Sequence, residues 1–419
     1  MLIVVDTSYS IRDILNRGQA HSVTCRDLGG FFNHVWTINP IAPAAYGQEV
    51  PSPTKSTWIQ LNSTSTFIEG TLAFSPRLNN WPGGAALNFL LSQCHQIGQM
   101  VSIARAHPST VVRGGDPLYA GLFALIVARI SSRPLVIRVG GNNERVFRET
   151  GRPIMPRLFR QRSLERAVES LVLSRADAVI GANEDNLAWA IASGASPRRS
   201  RVVRYGNLLD PVHFKHPDER ADSRESLIAI GVRPGSRILL YVGRLEEVKR
   251  VHDLIPLAEA LRSSGFDFQL LLVGDGSQRD ALQAKIHQRG LEDCVVLAGS
   301  ATQEVIASLF CLADVVVSPH MGRALGEAAL AAAPIVAYDL DWQGELISDG
   351  ENGRLISVGE IKDFTQAVAD LLLYPEEARR LGAAARESAL ELLDPCSQVN
   401  AELELYRSVL PRLPGSKSG

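Results

Sequence analysis

The stretch RILLYVGRLEEVKR (237–250) decides the fold: a short run of branched apolar residues stops at Gly243, and a charged loop follows. A continuous apolar run of that length, bounded by glycine, reads as a strand buried on both faces. A half-exposed strand would instead alternate. The pattern recurs in QLLLV (269–273), CVVLA (294–298), DVVVS (314–318) and PIVAY (334–338). It recurs again in the first half as LIVV (2–5), VWTI (35–38), TVV (110–112), PLVIRV (134–139), DAVIGA (177–182) and RVVRY (201–205). Each run is followed by a loop and a helix-like stretch. Right-handed crossovers between such strands give a doubly wound parallel sheet in each half.

The chain has 419 residues, too many for one ordinary core, and 45% are hydrophobic against 21% charged. YGNLLDPVHFKHPDERAD (205–222) reads as the linker between two domains. Residues 40–84, rich in Pro, Ser, Thr and Asn, are the least regular; STWIQLNSTSTFIEGTLAF (56–74) reads as a hairpin on the first domain. A formal charge of −2 and an isoelectric point near 6.5 give no basic footprint for nucleic acid. Five scattered cysteines without a C-x-x-C spacing, a start lacking a basic leader, and no apolar run of ~20 residues point to a reducing cytosol.

In doubly wound sheets, ligands bind beyond the carboxyl ends of the strands. The loops expected there carry glycine: RGGD (113–116), VGGNN (139–143), VGR (242–244), VGDG (273–276) and SPHMG (318–322). Arg244 and Lys249 suit a diphosphate, the first as a planar donor fork and the second as a point charge; pairing with Glu246 and Glu247 is the competing reading. Gly274-x-Gly276 lacks the third glycine of a dinucleotide fingerprint, Arg279 standing there, so it reads as a tight turn beside a ligand. SPHMG runs into a small-residue helix from about Ala324, whose first N–H groups favour an anion. Glu327 on that helix would repel phosphate, so its natural partner is a neutral diol such as ribose; an ordinary early-helix acid is the alternative. Asp339-x-Asp341 reads as a chance match to a metal-diphosphate motif, the histidines lack metal spacing, and no metal is assigned. Residues 145–166 hold seven arginines against two glutamates, a local +5, with Ile154, Met155, Leu158 and Phe159 interleaved. Such a segment suits an anionic membrane surface or acceptor, or is a solvated basic face.

The second half resembles the nucleotide-binding domain of the glycosyltransferase family 4 group. The matching segments are ILLYVGRLEEVKRVHDLI, LLLVGDGSQRDAL, VVLAGSATQEVIASLFCLADVVVSPHMG, GEAALAAAPIVAYDL and GELISDGENGRLI, in the family's order. The first half is similar only loosely. The resemblance implies a GT-B fold, two Rossmann-like domains facing across a cleft. It would place an acceptor-binding domain at 1–207, a nucleotide-sugar domain at 208–395, and a helix at about 396–412 packing back on the first. It implies retaining, metal-independent sugar transfer from a nucleotide-sugar, UDP- or GDP-linked, with no cofactor. The acceptor would be a glycan, lipid or small molecule of polysaccharide or glycoconjugate synthesis. The place is the cytoplasm or the inner membrane face.

The resemblance assigns the diphosphate to Arg244 and Lys249 and the ribose to Glu327, second acid of a Glu-x7-Glu motif. Donor contacts are expected at Gly243, Gly274, Gly276, His320, Met321, Gly322, Ala324 and Leu325, and acceptor contacts at Gly114, Asp116, Gly140, Gly141 and Asn142. The first acid of the motif falls on Pro319, which leaves His320 or backbone groups at the donor sugar and makes His320 a catalytic candidate beside Arg244 and Lys249. Two other readings stay open: a sugar-nucleotide epimerase on the same fold, and a non-catalytic nucleotide-sugar-binding protein.

Overall fold

A computed structural model describes residues 1–41, 55–75, 77–78, 82–220, 232–233 and 235–410. The end of the expected linker, the tail from 411 and parts of the irregular 40–84 region lie outside the described residues. The chain divides into two units, Met1–Leu208 with Pro395–Gly419, and Leu209–Asp394.

Unit 1 is built on strands β1 (Leu2–Val5), β2 (Val35–Asn39), β3 (Thr57–Asn62), β4 (Ser65–Glu69), β5 (Val111–Gly114), β6 (Leu135–Val139), β7 (Ala178–Gly181) and β8 (Ser200–Val202). Among the described residues their order is β3-β4-β2-β1-β5-β6-β7-β8. All neighbours are parallel except β3 and β4, which form the antiparallel hairpin expected from the sequence. Successive strand residues point to opposite faces, and both faces are covered. Ile3, Val5, Val112 and Ile137 meet Met100, Phe123, Val127 and Val172 from the helices Gly84–Ala106, Tyr119–Ser131 and Arg162–Arg175. Leu2, Val4, Val35 and Val136 meet Phe32 and, from the helix Pro395–Val409, Leu405 and Tyr406.

That last helix is bound to its sheet by charge as well as by rings. Arg113, buried in β5, reaches Glu402 Oε1 at 2.8 Å and Tyr406 Oη at 3.3 Å. The other Glu402 oxygen accepts from Asn207 Nδ2 at 3.0 Å. The Phe32 and Tyr406 rings pack edge to face at 5.0 Å.

Unit 2 uses β9 (Arg237–Val242), β10 (Phe268–Val273), β11 (Val295–Gly299), β12 (Val315–Ser318), β13 (Ile335–Tyr338) and β14 (Arg354–Ile356), all parallel, in the order β11-β10-β9-β12-β13-β14. Five of these match the apolar runs read from sequence. The sixth, β14, is three residues long and mostly half-buried, too short to register as a run.

The order fixes where each sheet opens. In unit 2 the chain winds outward from β9 in one direction and from β12 in the other, so the connections after these adjacent strands leave on opposite faces. The same holds for β1 and β5 in unit 1. A crevice forms beyond the carboxyl ends at such a switch.

Removing one partner of the buried Arg113–Glu402 pair strands the other charge. Glu402→Ala should destabilise unit 1 by about 3–5 kcal/mol in denaturant unfolding, whereas Arg113→Met combined with Glu402→Leu should recover most of that loss.

Candidate functional site

The crevice of unit 2 lies between the loops that follow β9 and β12. After β9 the chain turns at Gly243, whose N–H donates to Val273 O at 3.0 Å, and Arg244 follows, exposed. Gly274, at φ +144°, lies so close that a Cβ there would strike the carbonyl of Gly243, and a Cβ at Gly276 would strike that of Leu245. The two glycines are thus needed for loop-on-loop contact, and Gly274 also for its dihedral. Glu246, a suggested partner for the cations, is turned to Ser277 instead, accepting from its N–H at 3.1 Å and its hydroxyl at 2.6 Å. Lys249 closes a single 3-10 turn, Glu247–Lys249. Its Nζ comes within 4.0 Å of where a Cβ at Gly322 would stand, which brings the loops after β9 and β12 together.

Gly322 begins the helix Arg323–Leu330 and, having no side chain, leaves the first turn uncapped by any side chain. Ala324 sits half-buried in that turn. The side chains of Met321 and Leu325 are both fully buried. The Met321 N–H is also occupied, by Gln343 Oε1 at 3.0 Å and Ser318 Oγ at 3.2 Å. Leu325 is buried because a small-residue helix packing on a sheet turns every third or fourth residue inward. Gln343, missed in the sequence, is the clamp of this loop. It is wholly buried, accepts from Ser318 Oγ and Met321 N, and donates from Nε2 to Tyr338 O at 2.7 Å and Ser318 O at 3.3 Å. Its signal was the DLDWQ stretch set aside as a chance motif.

His320 takes a different part from the sugar contact expected of it. Its Nδ1 lies 2.7 Å from Val248 O and its Nε2 3.2 Å from Asp341 Oδ2, so both ring nitrogens are engaged by protein.

Glu327 is on the fifth residue of its helix, with 9% of its side chain exposed. Among the described residues nothing donates a hydrogen bond to its carboxylate. His213 Nε2 is 3.9 Å away but sits 2.9 Å from Gln303 Oε1, on the residue that opens the helix after β11. The acid therefore stands at the carboxyl rim of the sheet with most of its side chain buried.

In unit 1 the expected acceptor residues separate. Gly114 is a packing glycine: a Cβ there would lie 2.9 Å from Gly121 Cα and 2.9 Å from Ile137 Cδ1. Asn142 is spent on a helix start, accepting from Arg145 N at 3.1 Å and donating to Asp185 at 3.1 Å. Gly140 and Gly141 border open space. Asp116 stands at the β1/β5 switch, accepting from Leu118 N at 2.7 Å. Burial, with nearby Asp6 adding to it, pushes its carboxyl up to about 6 despite the helix-start N–H groups. Asp6 goes the other way: burial would raise it, but Arg26 at 2.5 Å and the Ser8 N–H hold it below the usual range.

The arginine-rich segment is less charged than its own composition implies. Arg145 pairs with Asp185 at 2.5 Å, Arg166 with Glu144 at 2.6 Å, and the buried Arg162 with Glu165 at 3.1 Å and Glu169 at 2.7 Å. Glu144, Glu169 and Asp185 lie outside the 145–166 window, which is why counting within it overstated the charge.

With the fold and the crevice in view, the class is defined: two parallel-sheet units of the GT-B fold. Anabaena HepE, solved in complex with UDP-glucose, superposes at a TM-score of 0.70 over 97% of this chain and 99% of that one, at 17% identity. Sucrose-phosphate synthase of Thermosynechococcus elongatus gives 0.74 over 97% and 98%, at 16% identity. Residues 222–388 match the family Glycosyl transferases group 1. The alpha-D-kanosaminyltransferase of Streptomyces kanamyceticus is 34% identical over 187 residues, which are 43% of this chain and 47% of that protein. The chain thus spans about half the length of that curated relative. Among the described residues no helix is long and apolar enough to cross a membrane.

Asp116 generates a pH prediction. A carboxyl that titrates higher folded than unfolded binds more protons in the folded state, so stability falls as pH rises from about 4 to about 6. Asp116→Asn should raise the melting temperature at pH 7.5 and change it little at pH 4, read by differential scanning calorimetry.

Proposed function

We propose that this protein is a glycosyltransferase that moves a sugar from a nucleotide-sugar donor to an acceptor hydroxyl, with the donor held by unit 2. The observation that carries the reading is Glu327. Its side chain is nine-tenths buried and no hydrogen bond from the described residues reaches its carboxylate, which leaves the oxygens able to accept from a ligand. A ribose diol offers them two hydroxyls. The diphosphate then falls to Lys249, to the uncapped turn at Gly322, and to Arg244.

The chemistry follows from that placement. As the bond from the anomeric carbon to the phosphate oxygen breaks, negative charge grows on the departing diphosphate, where Arg244, Lys249 and the helix N–H groups oppose it. The acceptor oxygen bonds to the anomeric carbon from the face the diphosphate leaves, and its proton passes to a phosphate oxygen, so configuration is retained. Neither a metal ion nor a protein nucleophile takes part. The resemblance favours a UDP- or GDP-linked donor; HepE, solved with UDP-glucose, adds support for UDP. The acceptor would meet unit 1 at the β1/β5 switch near Asp116, and a glycan, lipid or small-molecule acceptor fits this reading.

Arg244→Ala and Lys249→Ala should each weaken UDP or GDP binding about tenfold or more, the loss of a charge-assisted contact of roughly 1.5–3 kcal/mol. Glu327→Ala should weaken the nucleoside diphosphate but leave inorganic pyrophosphate binding unchanged. Titration calorimetry reads all three, and undiminished affinity in the Arg244 and Lys249 variants would remove the diphosphate assignment. Incubating a nucleotide-sugar alone separates transfer from epimerisation, because an epimerase would change the sugar without any acceptor.

A further inference from the structure

A cavity of about 790 Å³ opens in unit 2 apart from the β9/β12 crevice, and that volume is ordinary for a small-molecule site. Three elements wall it: the turn before β14, the end of the helix Ile361–Leu373 and the start of the helix Pro375–Leu392. Two arginines tie them together. Arg354, the first residue of β14, lies 3.0 Å from Asp349 in the turn and 3.8 Å from Asp370 in the last turn of the first helix. Arg380, on the second helix, donates to Gly350 O at 2.9 Å and to Glu351 O at 3.3 Å. Because the first helix ends beside the beginning of β14, the cavity lies at the amino ends of the strands. Arg244, Lys249 and Glu327 stand on the opposite rim.

The lining narrows the class of ligand. Its floor is apolar, made by the buried Leu371 and Leu381, and at its edge Leu373 and Tyr374 are 59% and 65% exposed. Tyr374 is held at the corner between the two helices. Its N–H donates to Asp370 O at 2.8 Å, and Pro375 restricts the chain that follows. The carboxylates of the wall are already paired: Asp349 and Asp370 with Arg354, Glu376 with Arg379 at 2.5 Å, and Glu377 with Arg380 at 2.7 Å. A cation would have to displace a guanidinium, and a phosphate would be repelled by those carboxylates. An aliphatic chain would strip water from the charged groups and give no hydrogen bond in return. A neutral ring bearing hydroxyls meets none of these costs. Its hydroxyls both donate and accept, and its C–H face can lie on an aromatic ring. We propose that this cavity binds a neutral glycan, held outside the β9/β12 crevice with one sugar ring stacked on Tyr374. The class of ligand is read from the lining, so the proposal goes beyond the transfer reading and stands without it.

The test applies the full chain to an array of neutral oligosaccharides and titrates the best binder in solution by calorimetry, with tetralysine and inorganic phosphate as charged probes. At least one neutral glycan should bind. Tyr374→Ala should weaken it about tenfold, the size of a lost ring contact, while Tyr374→Phe keeps the ring and should stay near wild type. Tyr374 is exposed, so both variants should fold, and melting temperatures equal to wild type check this. Saturating UDP should leave the glycan affinity unchanged, because the crevice lies on the other rim. An array with no neutral glycan bound, an affinity that survives Tyr374→Ala, or competition by UDP overturns the proposal. Binding of tetralysine or phosphate that Tyr374→Ala abolishes would assign the cavity to an ion and overturn it as well. Failure of any nucleoside diphosphate to bind would strike the donor reading alone, and the glycan titration would still decide this one.

Discussion

Close approach of two peptide segments governs the rest of unit 2. The loop after β10 lies on the loop after β9 so tightly that Gly274 and Gly276 admit no side chain against the carbonyls of Gly243 and Leu245. That contact sets the course of the chain from Gly243 to Lys249, and so determines where Arg244 and Lys249 stand relative to β12. Beside it the sheet order reverses between β9 and β12, and the second loop, Ser318–Gly322, meets the first.

Holding the second loop is the work of one amide. Gln343 uses both ends of its side chain on Ser318, Met321 and Tyr338, replacing with side-chain bonds the ladder that the chain gives up on leaving β12. Every polar atom of that amide is used, which makes a buried glutamine stabilising and specific about geometry. His320 then ties the clamped loop to its neighbours. The shape of the crevice is therefore settled before any ligand arrives, as binding without a large ordering cost requires.

Most of the strands were legible in the sequence because parallel strands buried on both faces leave continuous branched runs, as LLLV before Gly274 and VVVS before Pro319 do. The hairpin of β3 and β4 was read in STWIQLNSTSTFIEGTLAF, 56–74. β14 was not, being three residues long and only partly buried. The loop positions of Arg244, Lys249 and Gly322 could be read because strand ends fix them. What the side chains do there could not, because it depends on residues distant in sequence. Asp341 lies 21 positions from the ring it holds and Gln343 22 positions from the N–H it accepts. Likewise the charge of 145–166 could not be read from its own letters, since Glu144, Glu169 and Asp185 cancel part of it from outside the window.

The helix Pro395–Val409 completes a sheet whose strands all lie before residue 203, with the whole of unit 2 between them in the chain. During synthesis, Arg113 is made nearly three hundred residues before Glu402, its buried counter-ion. Unit 2 can close as soon as its own strands have left the ribosome, but unit 1 must wait, one hydrophobic face open, until the helix Pro395–Val409 has been made. The order of assembly is thereby the reverse of the order of the letters: the later domain matures first, and the earlier one is sealed last.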